Sequence, residues 1–207
     1  MAIDRTVAWV GGAALVTLVA ASVLVLRPWV DDPFSECREA SVAGGPGTLG
    51  GPFTLVDETG KTVTDKDVIT RPTLLYFGYT FCPDVCPLDS ARNAEAVEIL
   101  TERGRDVGNV MISIDPERDT PEVMADFTSY FPGDYLGLTG TPEQVAAAAK
   151  AYRVLYQKQD GDPADYLVSH STFTYLVLPE VGFVEFFNRD DTPEEMADRI
   201  GCFIDAS

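Results

Sequence analysis

The sequence has 207 residues, of which 45% are hydrophobic and 23% are charged, and its net charge is -18. This length allows one ordinary domain plus an extension, and this composition excludes a disordered chain. The strong negative charge would repel a phosphate backbone, which argues against a nucleic-acid partner.

The first predicted element is an apolar run over residues 7–26, flanked by Arg5 and Arg27. Twenty residues of helix span about 30 Å, which matches the hydrocarbon core of a bilayer. A cleaved signal peptide is the alternative. However, its apolar region is usually shorter and ends at small residues, whereas this run ends in Leu-Val-Leu followed by Arg27. We therefore predict an uncleaved transmembrane anchor.

The anchor predicts a domain organisation. Residues 1–6 are expected in the cytoplasm, residues 27–49 form a Gly-rich tether, and residues 50–207 form an exported domain. The first residues do not resemble an Arg- and Ser-rich transit peptide. The predicted location is therefore a bacterial inner membrane, crossed once, with the domain in the periplasm.

The elements after the tether alternate between strands and helices. The pattern predicts a hairpin over residues 53–63, a buried strand at 73–79, a helix at 89–103, a strand at 110–115, helices after Thr120 and Thr141, a hairpin of 172–178 with 182–187, and a last helix from Thr192 to about Ile204. Such an order indicates an α/β fold with a mixed central sheet flanked by helices. Cysteines at the end of the first central strand favour a thioredoxin-like arrangement, although periodicity alone is compatible with another α/β fold.

Cys82 and Cys86 lie between the predicted strand at 73–79 and the helix that follows it. A spacing of four places two side chains on one face of a helical turn, where they can bind one metal ion or form a disulfide. A helix N-terminus favours thiolate, which both roles need. The alternative is a pair of buried core cysteines, against which the neighbouring Pro83 and Pro87 argue.

His170 is the only histidine of the chain and precedes the strand predicted at 172–178. A lone histidine is usually an ordinary loop residue. At this strand entry of a thioredoxin-like fold, however, it would lie beside the cysteine loop and provide a third ligand. Two thiolates and one imidazole suit Cu(I), whereas structural zinc normally takes a fourth protein ligand.

Four segments together resemble the Sco/SenC family of copper chaperones. They are Phe77–Pro87 (FGYTFCPDVCP), Ile112–Glu122 (ISIDPERDTPE), Leu138–Pro142 (LTGTP) and Val168–Ser171 (VSHS), and the resemblance extends over about residues 50–204. The resemblance implies a membrane-anchored thioredoxin-like domain that binds copper, as Cu(I) or also as Cu(II), through Cys82, Cys86 and His170. It also implies delivery of copper to the dinuclear site of cytochrome c oxidase subunit II or a related copper-site protein.

The sequence departs from the family pattern at two positions beside the expected ligands. The family usually has Asp before the ligand histidine, where this chain has Ser169, and often has His before the first cysteine, where this chain has Phe81. Asp84, Asp115 and Asp119 are the nearby carboxylates considered as substitutes, although turn and helix capping are their more usual roles.

Cys37 and Cys202 lie outside the family motifs. In an oxidising compartment, an intramolecular disulfide between them would pin the arm before the domain to the last helix. Two free thiols and a link between the Cys37 residues of two chains are the alternatives. We predict the intramolecular disulfide.

The leading function is a copper metallochaperone whose loading is gated by the Cys82–Cys86 dithiol and disulfide. The alternative is a thiol–disulfide oxidoreductase, in which Cys82 attacks and Cys86 resolves, acting on the cysteines of the copper site or on other exported proteins. Either function would involve further partners such as another exported copper chaperone or a thiol reductant.

Overall fold

The computed structural model describes residues 32–39, 45–162 and 165–207. The part from Phe34 to Ser207 forms one compact unit. In the described residues, no helix has both the length and the apolar character needed to cross a bilayer. The predicted residues 1–6 and the predicted anchor at 7–26 lie outside the described residues, and the predicted tether at 27–49 lies partly within them.

Nine strands are present in the described residues. They are β1 (Thr54–Asp57), β2 (Thr62–Thr64), β3 (Thr73–Gly78), β4 (Gly108–Ser113), β5 (Tyr135–Thr139), β6 (Tyr156–Lys158), β7 (Val168–His170), β8 (Thr174–Leu178) and β9 (Gly182–Phe187). Seven of them form a sheet in the order β2-β1-β5-β4-β3-β8-β9, while β6 and β7 form a separate antiparallel pair. Strands β3, β4 and β5 are parallel, and the other neighbours in the large sheet are antiparallel, so the sheet is mixed.

Five α-helices occur in the same residues. They are α1 (Asp65–Val68), α2 (Val85–Glu102), α3 (Pro121–Thr128), α4 (Pro142–Ala151) and α5 (Pro193–Asp205). The last three each begin with proline, and a threonine before the proline accepts a hydrogen bond from the first-turn amides. Proline is favoured at this position because its missing N–H would have no partner within the helix. The Thr-Pro signals therefore predicted three helix starts correctly.

The two central strands β3 and β4 are buried at every position. Strands that are covered on both faces have continuous apolar runs rather than alternating ones, as these do. Helix α2 follows β3 directly and packs against α5. This arrangement places the loop between β3 and α2, which contains Cys82, at the carboxyl end of the central strands.

The α/β prediction with a mixed, thioredoxin-like sheet is confirmed, with corrections to several of its elements. Helix α2 begins at Val85 rather than Asp89, because Pro87 lies in the first turn, where its missing N–H breaks no helical hydrogen bond. Strands β5, β6 and β7 and the short helix α1 were not predicted. The strand predicted at 110–115 spans Gly108–Ser113, and the strand predicted at 172–178 begins at Thr174. His170 precedes β8, as predicted, but it also ends a short strand of its own, β7.

Candidate metal and dithiol site

The two cysteines flank the start of α2. Cys82 lies in the loop after β3, and Cys86 is the second residue of the helix. The amide of Cys86 donates a hydrogen bond to the Cys82 sulfur over 3.3 Å. Cys82 is 8% exposed and Cys86 is fully buried, so a partner molecule would reach Cys82 first.

His170 reaches the cysteines from the β6–β7 pair, where it lies opposite Tyr156. Its Nε2 is 3.4 Å from the Cys86 sulfur, and its Nδ1 is 2.8 Å from the carbonyl oxygen of Ser171. A carbonyl only accepts, so Nδ1 carries the proton and donates to it. The Nε2 lone pair then faces the cysteines and is available to accept a proton or to bind a metal.

The two thiols differ strongly in proton affinity. Hydrogen bonding from the Cys86 thiol lowers the pKa of Cys82 to about 3, against the raising effect of burial and with further lowering from the amides of Asp84 and Cys86. The same interaction with Cys82, followed by burial, raises the pKa of Cys86 well above its usual range. At neutral pH the pair is therefore one thiolate and one thiol.

The buried side of the site is closed by Tyr76 and Gly78 on β3. The Tyr76 hydroxyl donates to the buried carboxylate of Asp89 over 3.0 Å, and Asp89 also pairs with Arg189. Gly78 leaves room for the cysteine, because a Cβ there would lie 3.2 Å from the Cys86 sulfur and 2.7 Å from Tyr76 Cε1. A larger residue at position 78 would therefore displace Tyr76 and crowd the Cys86 sulfur.

The donor set of Cys82, Cys86 and His170 fits a soft ion such as Cu(I) better than a hard one. Bond lengths near 2.3 Å to sulfur and 2.0 Å to nitrogen in a trigonal site would put these atoms about 3.8 Å apart, close to the sulfur–nitrogen distance seen. In the described parts of the chain, however, no group of three such side chains is already arranged to hold a metal ion. Metal binding by all three therefore requires a small rearrangement of the side chains.

The residues at the two departures from the family pattern do not supply a further ligand. Ser169 is exposed, accepts a hydrogen bond from Gln159 over 2.6 Å, and lies on the face of β7 opposite to His170. Phe81 is 45% exposed and packs under the guanidinium of Arg118.

The three carboxylates that were considered as substitute metal ligands either bind other side chains or are exposed to solvent. Asp115 accepts from Arg118 and from the Tyr166 hydroxyl. Asp119 is buried and accepts from Thr80 and Ser113, so it ties the cysteine loop to the end of β4. Asp84 is exposed and makes no capping hydrogen bond at the start of α2.

Cys37 and Cys202 are far from this site and are joined by a disulfide in the structure, with their Cα atoms 5.7 Å apart. Both cysteines belong to the cluster of side chains between α2, α5 and the β8–β9 hairpin. The arm of residues 32–39 is therefore attached to α5.

Sequence reasoning missed Tyr76, Tyr79 and Tyr166, which lie around the ligands. The rings of Tyr76 and Tyr79 stand edge-on to His170 at centroid distances of 6.2 and 6.0 Å. The Tyr79 hydroxyl accepts from the amide of Val168, which links the cysteine loop to β7. Tyr76 and Tyr79 had a signal in the apolar run before Cys82, whereas Tyr166 had none.

A thioredoxin-like fold with a buried dithiol and one imidazole defines a class of proteins that handle thiols or soft metal ions. The comparisons with known proteins narrow this class. A family model described as SCO1/SenC matches residues 42–205. The chain belongs to the SCO1/SenC family.

Individual relatives agree with this membership. The chain is 54% identical over 205 residues to "Protein SenC" of Rhodobacter capsulatus, which covers 98% of this chain and 92% of that protein. A crystal structure of Arabidopsis thaliana ScoI with copper bound is 40% identical, with a TM-score of 0.72, over 76% of this chain and 99% of that chain. BsSco, described as a Sco-family cytochrome c oxidase assembly protein with a disulfide switch, is 25% identical, with a TM-score of 0.61, over 77% of this chain and 93% of that chain.

Proposed function

We propose that this protein binds Cu(I) through Cys82, Cys86 and His170 and delivers it to the dinuclear copper site of cytochrome c oxidase subunit II. One observation carries the proposal: the buried sulfur of Cys86 lies 3.4 Å from a histidine nitrogen whose lone pair is left free by the bond from Nδ1 to Ser171. The copper-bound ScoI structure and the description of BsSco as an oxidase assembly protein support the ion and the process.

Delivery follows from the unequal accessibility of the ligands. Cys82 is 8% exposed whereas Cys86 is fully buried, so a thiolate of the partner reaches the copper on the side of Cys82 first. Stepwise replacement of Cys82, Cys86 and His170 by the partner's ligands moves the ion without releasing it to water. In this proposal the chain is anchored in a bacterial inner membrane by residues 7–26, which keeps the domain close to a membrane-bound oxidase.

The redox state of the cysteines gates loading. Oxidation to a Cys82–Cys86 disulfide removes two electrons and both thiolate ligands, so the oxidised protein retains only His170 and does not hold Cu(I). A thiol reductant restores binding, and another exported copper chaperone is the proposed source of the ion.

Thiol–disulfide oxidoreduction is the second candidate function, and the unequal thiols favour it. Cys82, whose pKa is near 3, is the attacking thiolate. It forms a mixed disulfide with one partner sulfur and releases the other as a thiolate. Cys86 then loses its proton and attacks Cys82, which leaves a Cys82–Cys86 disulfide and a partner reduced by two electrons.

The variant His170→Ala separates the two functions. Disulfide exchange requires two sulfurs but no imidazole, whereas a trigonal copper site requires its third ligand. We expect the variant to bind Cu(I) at least about a hundredfold more weakly while its Cys82–Cys86 couple still equilibrates with glutathione. The matched control is Ser169→Ala, which alters the neighbouring residue on the opposite face of β7 and should bind copper normally.

Oxidase assembly should be measured with the same variants in a bacterium lacking its own family member. If copper delivery is the function, His170→Ala fails to support assembly and added copper restores part of it. If thiol reduction is the function, His170→Ala supports assembly and Cys82→Ser does not. Unchanged copper affinity in His170→Ala would refute the ligand assignment.

A further inference from the structure

The guanidinium of Arg118 lies between the cysteine loop and the strand that carries His170. Its Cζ atom is 4.4 Å from the ring centroid of Phe81 and 3.6 Å from that of Tyr166. Its Nε donates to the buried carboxylate of Asp115 over 2.5 Å. Within the described residues, its Nη1 and Nη2 are buried and have no hydrogen-bond partner. The rings of Phe81 and Tyr166 are therefore the nearest of its aromatic contacts, and the ring of Tyr79 lies farther off at 5.9 Å.

Each of the two rings belongs to a residue that lies close in the sequence to a proposed copper ligand. Phe81 immediately precedes Cys82, and Tyr166 lies two residues before β7, which ends at His170. The Tyr166 hydroxyl donates to Asp115, the same carboxylate that holds Arg118. The Arg118 stack, meaning Phe81, Arg118 and Tyr166, thus connects two segments that are more than 80 residues apart in the sequence.

We propose that Arg118 is a positioning residue, which through Phe81 and Tyr166 holds Cys82 at a fixed distance from His170 before copper arrives. This inference rests on the proposed function and specifies how the chain prepares its own ligands. A planar guanidinium stacks on aromatic faces in a way that an ammonium does not, and desolvation strengthens such contacts. Phe81, which stands where the family often has histidine, supplies one of the two faces.

The Arg118 stack raises copper affinity because it limits the motion of the cysteine loop relative to β7. Without it, the cysteine loop and β7 are joined mainly through Tyr79, whose hydroxyl accepts from the Val168 amide and whose ring stands edge-on to His170. The two segments then move more independently, and copper binding has to order them. Preorganised ligands bind more tightly because that ordering has been done during folding.

The first test uses the reduced, copper-free, full-length protein and measures amide hydrogen exchange. We expect Arg118→Gln and Phe81→Leu to speed exchange about tenfold at the amides of Val168 and Cys86, which bond to Tyr79 and Cys82. Amides of β3 in the same sample are the internal reference. Arg103→Gln is the matched control, since it removes an exposed ion pair with Asp198 elsewhere.

The second test measures Cu(I) affinity by competition with a chromogenic chelator. Arg118→Gln and Phe81→Leu should each bind about tenfold more weakly, and the double variant should bind no more than about twofold more weakly than either. Arg118→Lys keeps the charge but loses the planar contact. It should behave like Arg118→Gln.

Each outcome decides the proposal. The proposal is overturned if Arg118→Gln exchanges its amides at the wild-type rate, if Arg118→Lys recovers the wild-type Cu(I) affinity, or if the losses of affinity add in the double variant. It is also overturned if exchange in β3 speeds up equally, because that indicates general destabilisation. A wild-type protein that binds no Cu(I) would instead overturn the proposed function, while the exchange measurements would still judge the role of Arg118.

Discussion

Cys82 and Cys86 differ in protonation because they share one hydrogen bond. The interaction that stabilises the Cys82 thiolate holds the proton on Cys86, so the pKa of Cys82 falls to about 3 while that of Cys86 rises. Either thiol alone would have a more ordinary pKa. The asymmetry belongs to the pair.

This asymmetry predicts the proton release on copper binding. A thiol must lose its proton to bind metal, and at pH 8 only Cys86 still carries one. Binding of Cu(I) to the reduced protein should therefore release one proton, and the apparent affinity should rise about tenfold per pH unit because that single proton competes with the metal. Calorimetry in buffers of different ionisation enthalpy measures the number of protons released per copper ion bound.

A chemical control follows from the same pKa values. At pH 5, iodoacetamide should alkylate Cys82 and leave the buried Cys86 unmodified, since only thiolate reacts. Release of two protons on copper binding, or equal labelling of both cysteines at pH 5, would contradict the assignment.

Ser169 provides a second prediction at the residue scale. Its side chain lies on the opposite face of β7 from His170 and bonds to Gln159. Introducing the carboxylate typical of the family, Ser169→Asp, should therefore change Cu(I) affinity by less than about twofold. A chelator competition measures this, and a tenfold change would show that residue 169 reaches the copper.

The loop that contains Cys82 is held at its start by Asp119. This buried carboxylate accepts from the Thr80 hydroxyl over 2.6 Å and from Ser113, and its own carbonyl accepts from Thr139. Burial raises its pKa above the ordinary value, despite the lowering by Ser113 and Thr80. Ionising Asp119 is therefore harder in the folded protein than in the unfolded chain.

The sign of this shift predicts a pH dependence. A raised folded pKa contributes stability that is complete below the unfolded value and is lost as the pH rises through the folded pKa. The stability advantage of the wild type over Asp119→Asn should thus be largest near pH 3 and should decrease towards neutrality. Thermal unfolding across this range tests the prediction, and an advantage that grows with pH would contradict it.

Helix α5 carries Cys202 and begins with a reciprocal cap. Thr192 Oγ1 accepts from the Glu195 amide over 3.2 Å, and the Glu195 carboxylate accepts from the Thr192 amide over 2.9 Å. Thr192→Ala should lower the free energy of unfolding by about 1 kcal/mol. Thr101→Ala, which removes an exposed hydroxyl inside α2, is the control and should change it by less than about 0.5 kcal/mol. Urea denaturation measures both, and equal losses would contradict the capping role.

The elements show which part of the structure a sequence pattern can predict. The Thr-Pro caps and the apolar runs of β3, β4 and β8 are local signals, and they gave the correct fold class. Strand β7 has only three residues and depends on pairing with β6, whose residues lie 10 to 14 positions earlier in the chain than their partners. Short strands of this kind have no periodicity to detect.

In the candidate site, too, local contacts could be predicted from the sequence and long-range contacts could not. Cys82 and Cys86 are four residues apart, so their proximity was predictable from helix geometry. The contact of Arg118 with Phe81 and Tyr166 joins three distant segments, and nothing local in any of them predicts it.

On the scale of the whole molecule, the disulfide between Cys37 and Cys202 encloses nearly the entire domain, with a sequence separation of 165 residues. Phe34 stacks on Phe203 beside it, and the amide of Glu39 donates to the buried Glu185. The arm is therefore held to α5 and β9 by covalent, apolar and polar contacts together.

Removal of this disulfide should reduce stability substantially. The chain-entropy model gives up to about 5 kcal/mol for a loop of this length, as an upper bound. The double variant Cys37→Ser with Cys202→Ser should lose several kcal/mol in urea denaturation and still bind copper at Cys82 and Cys86. Non-reducing peptide mapping of exported protein should find Cys37 linked to Cys202, and two alkylated free thiols there would refute the bond.

The position of this bond also determines how the molecule transmits mechanical load. The compact unit runs from Phe34 to Ser207, so the bond between Cys37 and Cys202 joins its first residues to its last helix by one covalent link. Tension applied between residues before Cys37 and residues after Cys202 would run from one sulfur to the other. The sheet, the cysteine loop and His170 would lie outside that path and keep their geometry under force. A reduced protein would instead pass the same tension through the sheet and open the copper site.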